Sequence, residues 1–245
     1  MLVKNKPLMQ PENHLLATLP AYIYERLAPH LKLVPLSTHE VIVEIGEPIK
    51  YVYFPHKAIV SLLATMDDGS TAEVALVGHE GMVGLPVILG DKISSILGIV
   101  QVPGEGMRID ADILKTEFER GGPLQSLLLL YVQAFITELA QGAACNRLHS
   151  LEKRLARWLL KVSDRIQSEE FPLTQEFIAQ MLGVRRSGVS VAAGILSQSG
   201  IITYNRGRIH ILNRPALEAA SCECYRVVKG EFKRLLGASP DTENR

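Results

Sequence analysis

The hydrophobic pattern of this chain changes period at Pro123, and no single regular architecture accommodates both parts. Between residues 41 and about 109 the apolar residues come in short β-branched or aromatic runs, at 41–45, 51–54, 59–65, 71–77 and 96–102. Gly46-Glu47-Pro48, Pro55-His56, Asp67-Asp68-Gly69, Gly78, Gly90-Asp91 and Pro103-Gly104 punctuate them. Short strands at that spacing predict a small sandwich or barrel, and Asp67-Asp68-Gly69 is a hairpin signal. Residues 1–35 precede them with a short helical pattern of Leu15, Leu16, Leu19, Tyr22, Ile23 and Leu27. From Pro123 onward Leu124, Leu128, Tyr131, Phe135, Leu139, Gly142 and His149 fall close to a heptad repeat, widened by Leu127, Leu130, Ala134 and Ile136. Proline suits the first turn of a helix, and a helix over 123–146 spans about 36 Å. So broad an apolar face has to cover its own domain on one side and a second body on the other, which points to a subunit interface.

Composition narrows the class. A chain of 245 residues has room for one large or two modest domains. With 47% hydrophobic and 21% charged residues it can bury a core, so a disordered tail and a low-complexity chain are excluded. Three cysteines cannot build a disulfide scaffold and leave one unpaired, so a reducing, cytoplasmic setting is expected. Residues 1–10 hold two lysines with no apolar stretch behind them, unlike a signal peptide. The longest apolar run, 127–132, falls far short of the roughly 20 residues of a membrane span, so no membrane is expected.

The net charge of +0, from 26 basic and 26 acidic side chains, argues against a nucleic-acid partner only if the charges are mixed evenly. They are not: residues 147–245 hold 16 basic and 10 acidic side chains, and residues 1–146 hold 10 and 16. The basic portion is the one suited to phosphates.

That portion opens with an amphipathic helix, Leu151, Leu155, Trp158, Leu159, Val162 and Ile166 on one face and Glu152, Lys153, Arg154 and Lys161 on the other, after a hinge near 146–150. Residues 173–192 then read as a helix-turn-helix. Thr174 caps the first helix through its hydroxyl; Ile178 and Leu182 face inward; Ala179 allows a close helix crossing; Gly183 supplies the positive φ that ends the helix. Val184, Val189 and Ala192 complete the packing, which leaves Arg185, Arg186, Ser187 and Ser190 outward at the start of the second helix, the end that enters a major groove. Arginine there can donate to guanine O6 and N7. Residues 200–204 and 208–212 flank Asn205-Arg206-Gly207 as a two-stranded wing whose Arg206 and Arg208 suit phosphates. The expected DNA contacts are therefore Thr174, Gln175, Arg185, Arg186, Ser187, Ser190, Arg206 and Arg208.

A β-roll, a long helix, a hinge and a winged helix-turn-helix in this order resemble the Crp/Fnr family of bacterial transcription regulators, over about residues 15–215. The resemblance implies an α+β fold with a jelly-roll-like, cyclic-nucleotide-binding-like sensor over 1–122, a dimerisation helix over 123–146 and a DNA-binding domain with a C-terminal helix over 147–245. It further implies a homodimer on a two-fold symmetric operator in double-stranded DNA, with RNA polymerase as a partner. The family's recognition helix carries arginine, then glutamate, then a second arginine a turn later. Arg186 matches the first, while Ser187 and Val191 replace the others, so the family's best-known operator is not expected here.

In the family's sensor, a Gly-Glu pair and an Arg-Ser pair cradle a cyclic phosphate. The matching residues here are Gly78, His79, Glu80, Gly81 and Gly84, with Ser94 and Ser95 further on, and these form the candidate effector pocket. The arginine is missing, since no basic residue lies between Lys92 and Arg108. A cyclic nucleotide would lose a charge-assisted partner worth about 1.5–3 kcal/mol, so no cofactor is expected, with a cyclic nucleotide as the open alternative. The family's iron–sulfur type needs N-terminal cysteines, and the first here is Cys145. Cys145, Cys222 and Cys224, far apart in sequence, read as small apolar packing residues with no metal assigned. No catalytic constellation is present, so the chain is not expected to be an enzyme. The alternatives are a ligand- or protein-binding module whose helix-turn-helix is structural, and a thiol redox sensor using Cys222 and Cys224.

Overall fold

A computed structural model describes residues 11–205 and 207–237. The stretch 1–10, expected to carry no signal peptide, lies outside the described residues, as does Arg206 of the wing. Two short helices, α1 (His14–Thr18) and α2 (Ala21–Leu27), lead into β1 (Lys32–Leu36), β2 (Val41–Val43), β3 (Tyr51–Pro55), β4 (Ile59–Thr65) and β5 (Thr71–Val77). There follow α3 (Pro86–Leu89), β6 (Leu97–Val102), β7 (Gly104–Asp110), α4 (Ala111–Glu119) and the long α5 (Pro123–Leu148). The remainder is α6 (Leu151–Ile166), β8 (Glu170–Pro172), α7 (Gln175–Leu182), α8 (Arg186–Gln198), β9 (Ile202–Asn205), β10 (Arg208–Ile211), α9 (Arg214–Ala220) and α10 (Cys224–Leu236).

The N-terminal strands form two antiparallel sheets, in the orders β1-β7-β3 and β2-β6-β4-β5. The β4–β5 hairpin turns where Asp67-Asp68-Gly69 predicts it: Gly69 sits at φ +80°, and the Asp68 carboxylate accepts the Ser70 N–H at 2.9 Å. Strand β7 escapes the pattern because its first residues are Gly104, Glu105 and Gly106. Those glycines permit close packing: a Cβ on Gly104 would stand 2.7 Å from the Ala58 nitrogen, and one on Gly106 would stand 3.0 Å from the Phe54 carbonyl. Strand β1, with Lys32 and Pro35, is an edge, the place a sheet tolerates proline.

The four-stranded sheet is buried on both faces. Val60, Ala75, Val77 and Val100 point into the sensor core with Val52, Phe54 and Ile109 and with Leu124, Leu128 and Tyr131 of α5. Ile59, Leu63 and Leu76 point the other way, into a second core built from Trp158 and Leu159 of α6, Ile178 and Leu182 of α7, and Val189 and Leu196 of α8. Continuous apolar runs such as 59–63 are what two-sided burial demands. The helix-turn-helix unit is thus docked on the outer face of its own sensor, and Gln180 of α7 donates to the Thr71 hydroxyl of β5 at 2.8 Å.

Charge reinforces the docking. Charged residues of helix α6 do not all face solvent as its periodicity suggests: Lys161, Arg157 and Arg165 are buried. Lys161 and Arg165 pair with Glu138 of α5, which is 1% exposed, and Arg165 Nε donates to Glu80 at 2.8 Å. Burial would raise the Glu138 carboxyl, but the Lys161 and Arg165 cations hold it below the ordinary range.

Helix α5 divides its broad apolar face between a buried and an open side. Leu124, Leu128, Tyr131 and Phe135 are buried within this chain. The face left to solvent is the opposite one, Leu129, Ile136, Ala140 and Ala143, spaced by seven, four and three residues. The helix runs two residues beyond 146, so the connector to α6 narrows to His149-Ser150. By length and composition α5 could cross a membrane, with a mean hydropathy of 1.4 over its most apolar stretch, which a count of consecutive apolar residues does not reveal. The C-terminal helical region, one segment by its pattern, is broken at Ser221-Cys222-Glu223, and α10 runs back along α5 to stack Phe232 edge-on to Tyr131 at 6.3 Å.

At the docking surface Trp158 Nε1 donates to Glu73 of β5 at 2.9 Å, and the Ser61 hydroxyl donates to the same carboxylate at 3.0 Å. Burial pushes Glu73 up to about 7 from an ordinary 4.5. The folded state therefore binds more protons than the unfolded state between those two values, and stability falls as pH rises through that window. In Glu73→Gln that loss is expected to vanish, so that from low to neutral pH the variant gains on the wild type by up to about 3 kcal/mol in urea unfolding. A difference that does not change with pH would show that Glu73 ionises normally.

Candidate nucleic-acid interface

The helix-turn-helix assembles as its residue types dictate. The Thr174 hydroxyl accepts the Phe177 N–H at 3.2 Å, capping α7. Gly183 ends α7 at φ +62°, where its own N–H and that of Val184 close back on the Gln180 and Ala179 carbonyls. Arg154 of α6 donates to the Leu182 carbonyl at 2.6 Å, satisfying one more acceptor of that helix end. Ile178, Ala179, Leu182, Val189 and Ala192 are buried as expected, and Met181, Ala193 and Leu196 join them.

Arg185 is the N-cap of α8 and Arg186 its first residue. Both are exposed, as are Ser187 and Ser190, and among the described residues no carboxylate pairs with either arginine. The Ser190 hydroxyl donates to Gln175 Oε1 at 2.6 Å, so Ser190 and Gln175 form one polar unit bridging the two helices. Val191, the next residue, is 62% exposed and is an apolar group of the kind that can contact a thymine methyl. In the sequence Val191 stands out only as a replaced arginine; its place off the buried row of Val189, Ala192 and Ala193 is the signal of its exposure.

The wing comes to the same edge. Strands β8, β10 and β9 form a three-stranded sheet rather than the expected two, because Glu170-Phe171-Pro172 pairs with β10. The Leu173 N–H donates to the Gly207 carbonyl at 2.7 Å, which sets the wing turn beside Thr174. Arg208 is exposed and pairs with Glu170 at 3.0 Å, a surface contact worth at most about 1 kcal/mol that a phosphate can replace. Ser190 thus meets Gln175 and the wing turn meets Thr174, while Arg185, Arg186, Ser187 and Arg208 are exposed and Arg206 lies outside the described residues.

The effector candidates meet different neighbours. A Cβ on Gly81 would stand 2.4 Å from the Tyr131 hydroxyl oxygen, and one on Gly78 would stand 2.8 Å from the Arg165 Cβ. This glycine-rich turn therefore packs against α5 and α6 of its own chain. His79 and Glu80 instead line a cleft of about 1010 Å³ with Lys161, Arg165, Arg214 and Lys229. Ser94 is buried at a bridge to Ile45, its hydroxyl donating to the Ile96 carbonyl at 2.8 Å, and Ser95 is exposed. The cysteines are not scattered as their sequence separation suggests: Cys145, Cys222 and Cys224 form a buried group of their own, next to His149.

Residues 153–220 match the family model of the Crp-like helix-turn-helix domain. No curated protein sequence matches the chain. Solved structures match it over most of its length. FixK2 from Bradyrhizobium japonicum superposes with a TM-score of 0.68 at 17% identity, covering 78% of this chain and 98% of its own. The c-di-GMP-responsive global regulator CLP from Xanthomonas campestris gives 0.62 at 15% identity, over 78% and 99%. A CRP-family transcriptional regulator from Thermus thermophilus gives 0.62 at 19% identity, over 77% and 96%. The chain carries a Crp-like helix-turn-helix domain and has the fold of the Crp/Fnr transcription regulators.

Proposed function

We propose that this chain is a sequence-specific transcription regulator that acts in the cytoplasm as a homodimer on double-stranded DNA, and that it is not an enzyme. One observation carries the reading: Arg185, Arg186, Ser187 and Ser190 stand exposed at the start of α8, unpaired by any described carboxylate, beside a wing that presents Arg208. A helix N-terminus with unengaged arginines is built to meet base edges and phosphates. The exposed stripe Leu129, Ile136, Ala140 and Ala143 supports pairing of two α5 helices about a two-fold axis. The sensor then works through that pairing, with an effector favouring one arrangement of the dimer, or holds one arrangement without an effector. RNA polymerase is the partner that a promoter-bound dimer of this kind would meet.

The β-roll is not proposed to take a cyclic nucleotide, because Tyr131 and Arg165 fill the space against Gly81 and Gly78. Selection of bound sites from random DNA is expected to yield a two-fold symmetric operator with half-sites about 34 Å apart, and the same profile with and without cyclic AMP. A profile sharpened by cyclic AMP would put the nucleotide back in the sensor.

On the selected operator, Arg186→Ala is expected to weaken binding by about 1–3 kcal/mol and relax the preference at one base pair of each half-site. Unchanged affinity and preference would show that the helix-turn-helix serves structure alone.

Ile136→Glu would set like charges against each other across the axis, and is expected to raise the dimer dissociation constant about a hundredfold in sedimentation. A dimer unaffected by it would have to pair through another face.

A further inference from the structure

Three thiols and an imidazole meet where the end of α5 touches the break between α9 and α10. Cys145 and His149, four residues apart at the end of α5, face the same side, and Cys222 and Cys224 bracket Glu223 in the break. Their four ligand atoms lie within 4.8 Å of one another. Cys145 Sγ is 3.5 Å from Cys222 Sγ, and Cys224 Sγ is 3.5 Å from His149 Nδ1. A tetrahedral ion with bonds of about 2.3 Å to sulfur and about 2.0 Å to nitrogen holds its ligand atoms about 3.5–3.8 Å apart. A polynuclear iron–sulfur cluster sets several irons and sulfides between its thiolates and needs more room than 4.8 Å.

The surroundings fit metal better than packing. The three cysteines are buried apart from both hydrophobic cores, whereas cysteines used as small apolar residues merge with a core. With Nδ1 turned to the sulfurs, His149 Nε2 faces Glu223 Oε1 at 3.3 Å. That carboxylate would accept a hydrogen bond from Nε2–H, which leaves the Nδ1 lone pair free to ligate. Gln141 Nε2 donates to Cys224 Sγ at 3.2 Å, as a hydrogen bond to a thiolate would, and Cys224 is the first residue of α10, where the helix dipole favours negative charge. Four protein ligands leave no position for a substrate, which marks a structural site.

We propose that Cys145, His149, Cys222 and Cys224 form a closed, mononuclear, tetrahedral site for a zinc-class ion. The ion staples the C-terminal helix to the end of the long helix, beside the two-residue connector that leads into the DNA-binding unit. Occupancy then fixes the hinge, and metal loss frees it. The site does not depend on the DNA-binding reading and is tested without DNA.

The full chain, purified under reducing conditions and freed of any affinity tag, is expected to hold one zinc per chain by elemental analysis. After stripping with a chelator, cobalt(II) is expected to titrate to one equivalent with a thiolate-to-cobalt charge-transfer band and the intense d–d bands of tetrahedral coordination. Cys224→Ser and His149→Ala are expected to lose at least a hundredfold in cobalt affinity and alter those bands. Glu223→Gln is expected to lose about tenfold with the bands unchanged. If a ligand variant fails to fold, the wild-type cobalt spectrum still decides. The proposal is overturned by a wild-type protein that binds no stoichiometric metal, by a weak octahedral cobalt spectrum, by iron with acid-labile sulfide, or by a Cys145–Cys222 disulfide in metal-replete protein.

Discussion

Two buried cations, one buried carboxylate and one half-buried carboxylate, where β-roll, long helix and helix-turn-helix unit converge, fix the geometry of the rest. Glu138 is almost fully enclosed, and its charge is tolerable only because Lys161 and Arg165 reach it from α6, while Arg165 also holds Glu80 of the sensor loop. Replacing such a set by apolar residues costs little, whereas removing one member strands a charge at about 3–5 kcal/mol. Its value is therefore geometric. Neither α5, α6 nor the loop can slip by a helical turn without leaving an unpaired ion inside the protein, so the three elements move together or separate together.

That constraint explains how the candidate interface is presented. Helix α6 is the common floor of both cores, with Leu155, Trp158 and Leu159 packed on α7, α8 and the outer face of the sensor sheet. The aim of α8 is thus set by the sensor through α6 and not by the wing alone. The glycine turn at Gly78 and Gly81 faces Arg165 and Tyr131, which belong to α6 and α5.

Elements defined by local chemistry were legible from residue types alone. The hairpin of β4 and β5, the cap at Thr174, the glycine exit at Gly183 and the inward residues of α7 and α8 all follow from period, hydroxyl or positive φ. Strands β1, β7 and β8 were not legible, because Pro35, Gly104, Gly106 and Pro172 are chosen for edges and close approach rather than for strand propensity. Periodicity likewise cannot distinguish a lysine that faces water from one turned inward on a buried partner, as Lys161 is on Glu138. Nor does spacing tell which part of the broad apolar face of α5 meets the chain's own core and which part stays open, since both surfaces ask for leucine. The cysteine–histidine cluster was hidden for a different reason: Cys145 and Cys222 are 77 residues apart, and only the return of α10 along α5 brings them together.

The double-sided burial of the four-stranded sheet has a thermodynamic consequence. Ile59, Leu63 and Leu76 are dry only while the DNA-binding unit covers them. Any swing that lifts the unit away is therefore a wetting transition, with a positive heat-capacity change in proportion to the apolar area uncovered. The equilibrium between the two arrangements would then curve with temperature, and the docked one would loosen on cooling as well as on strong heating.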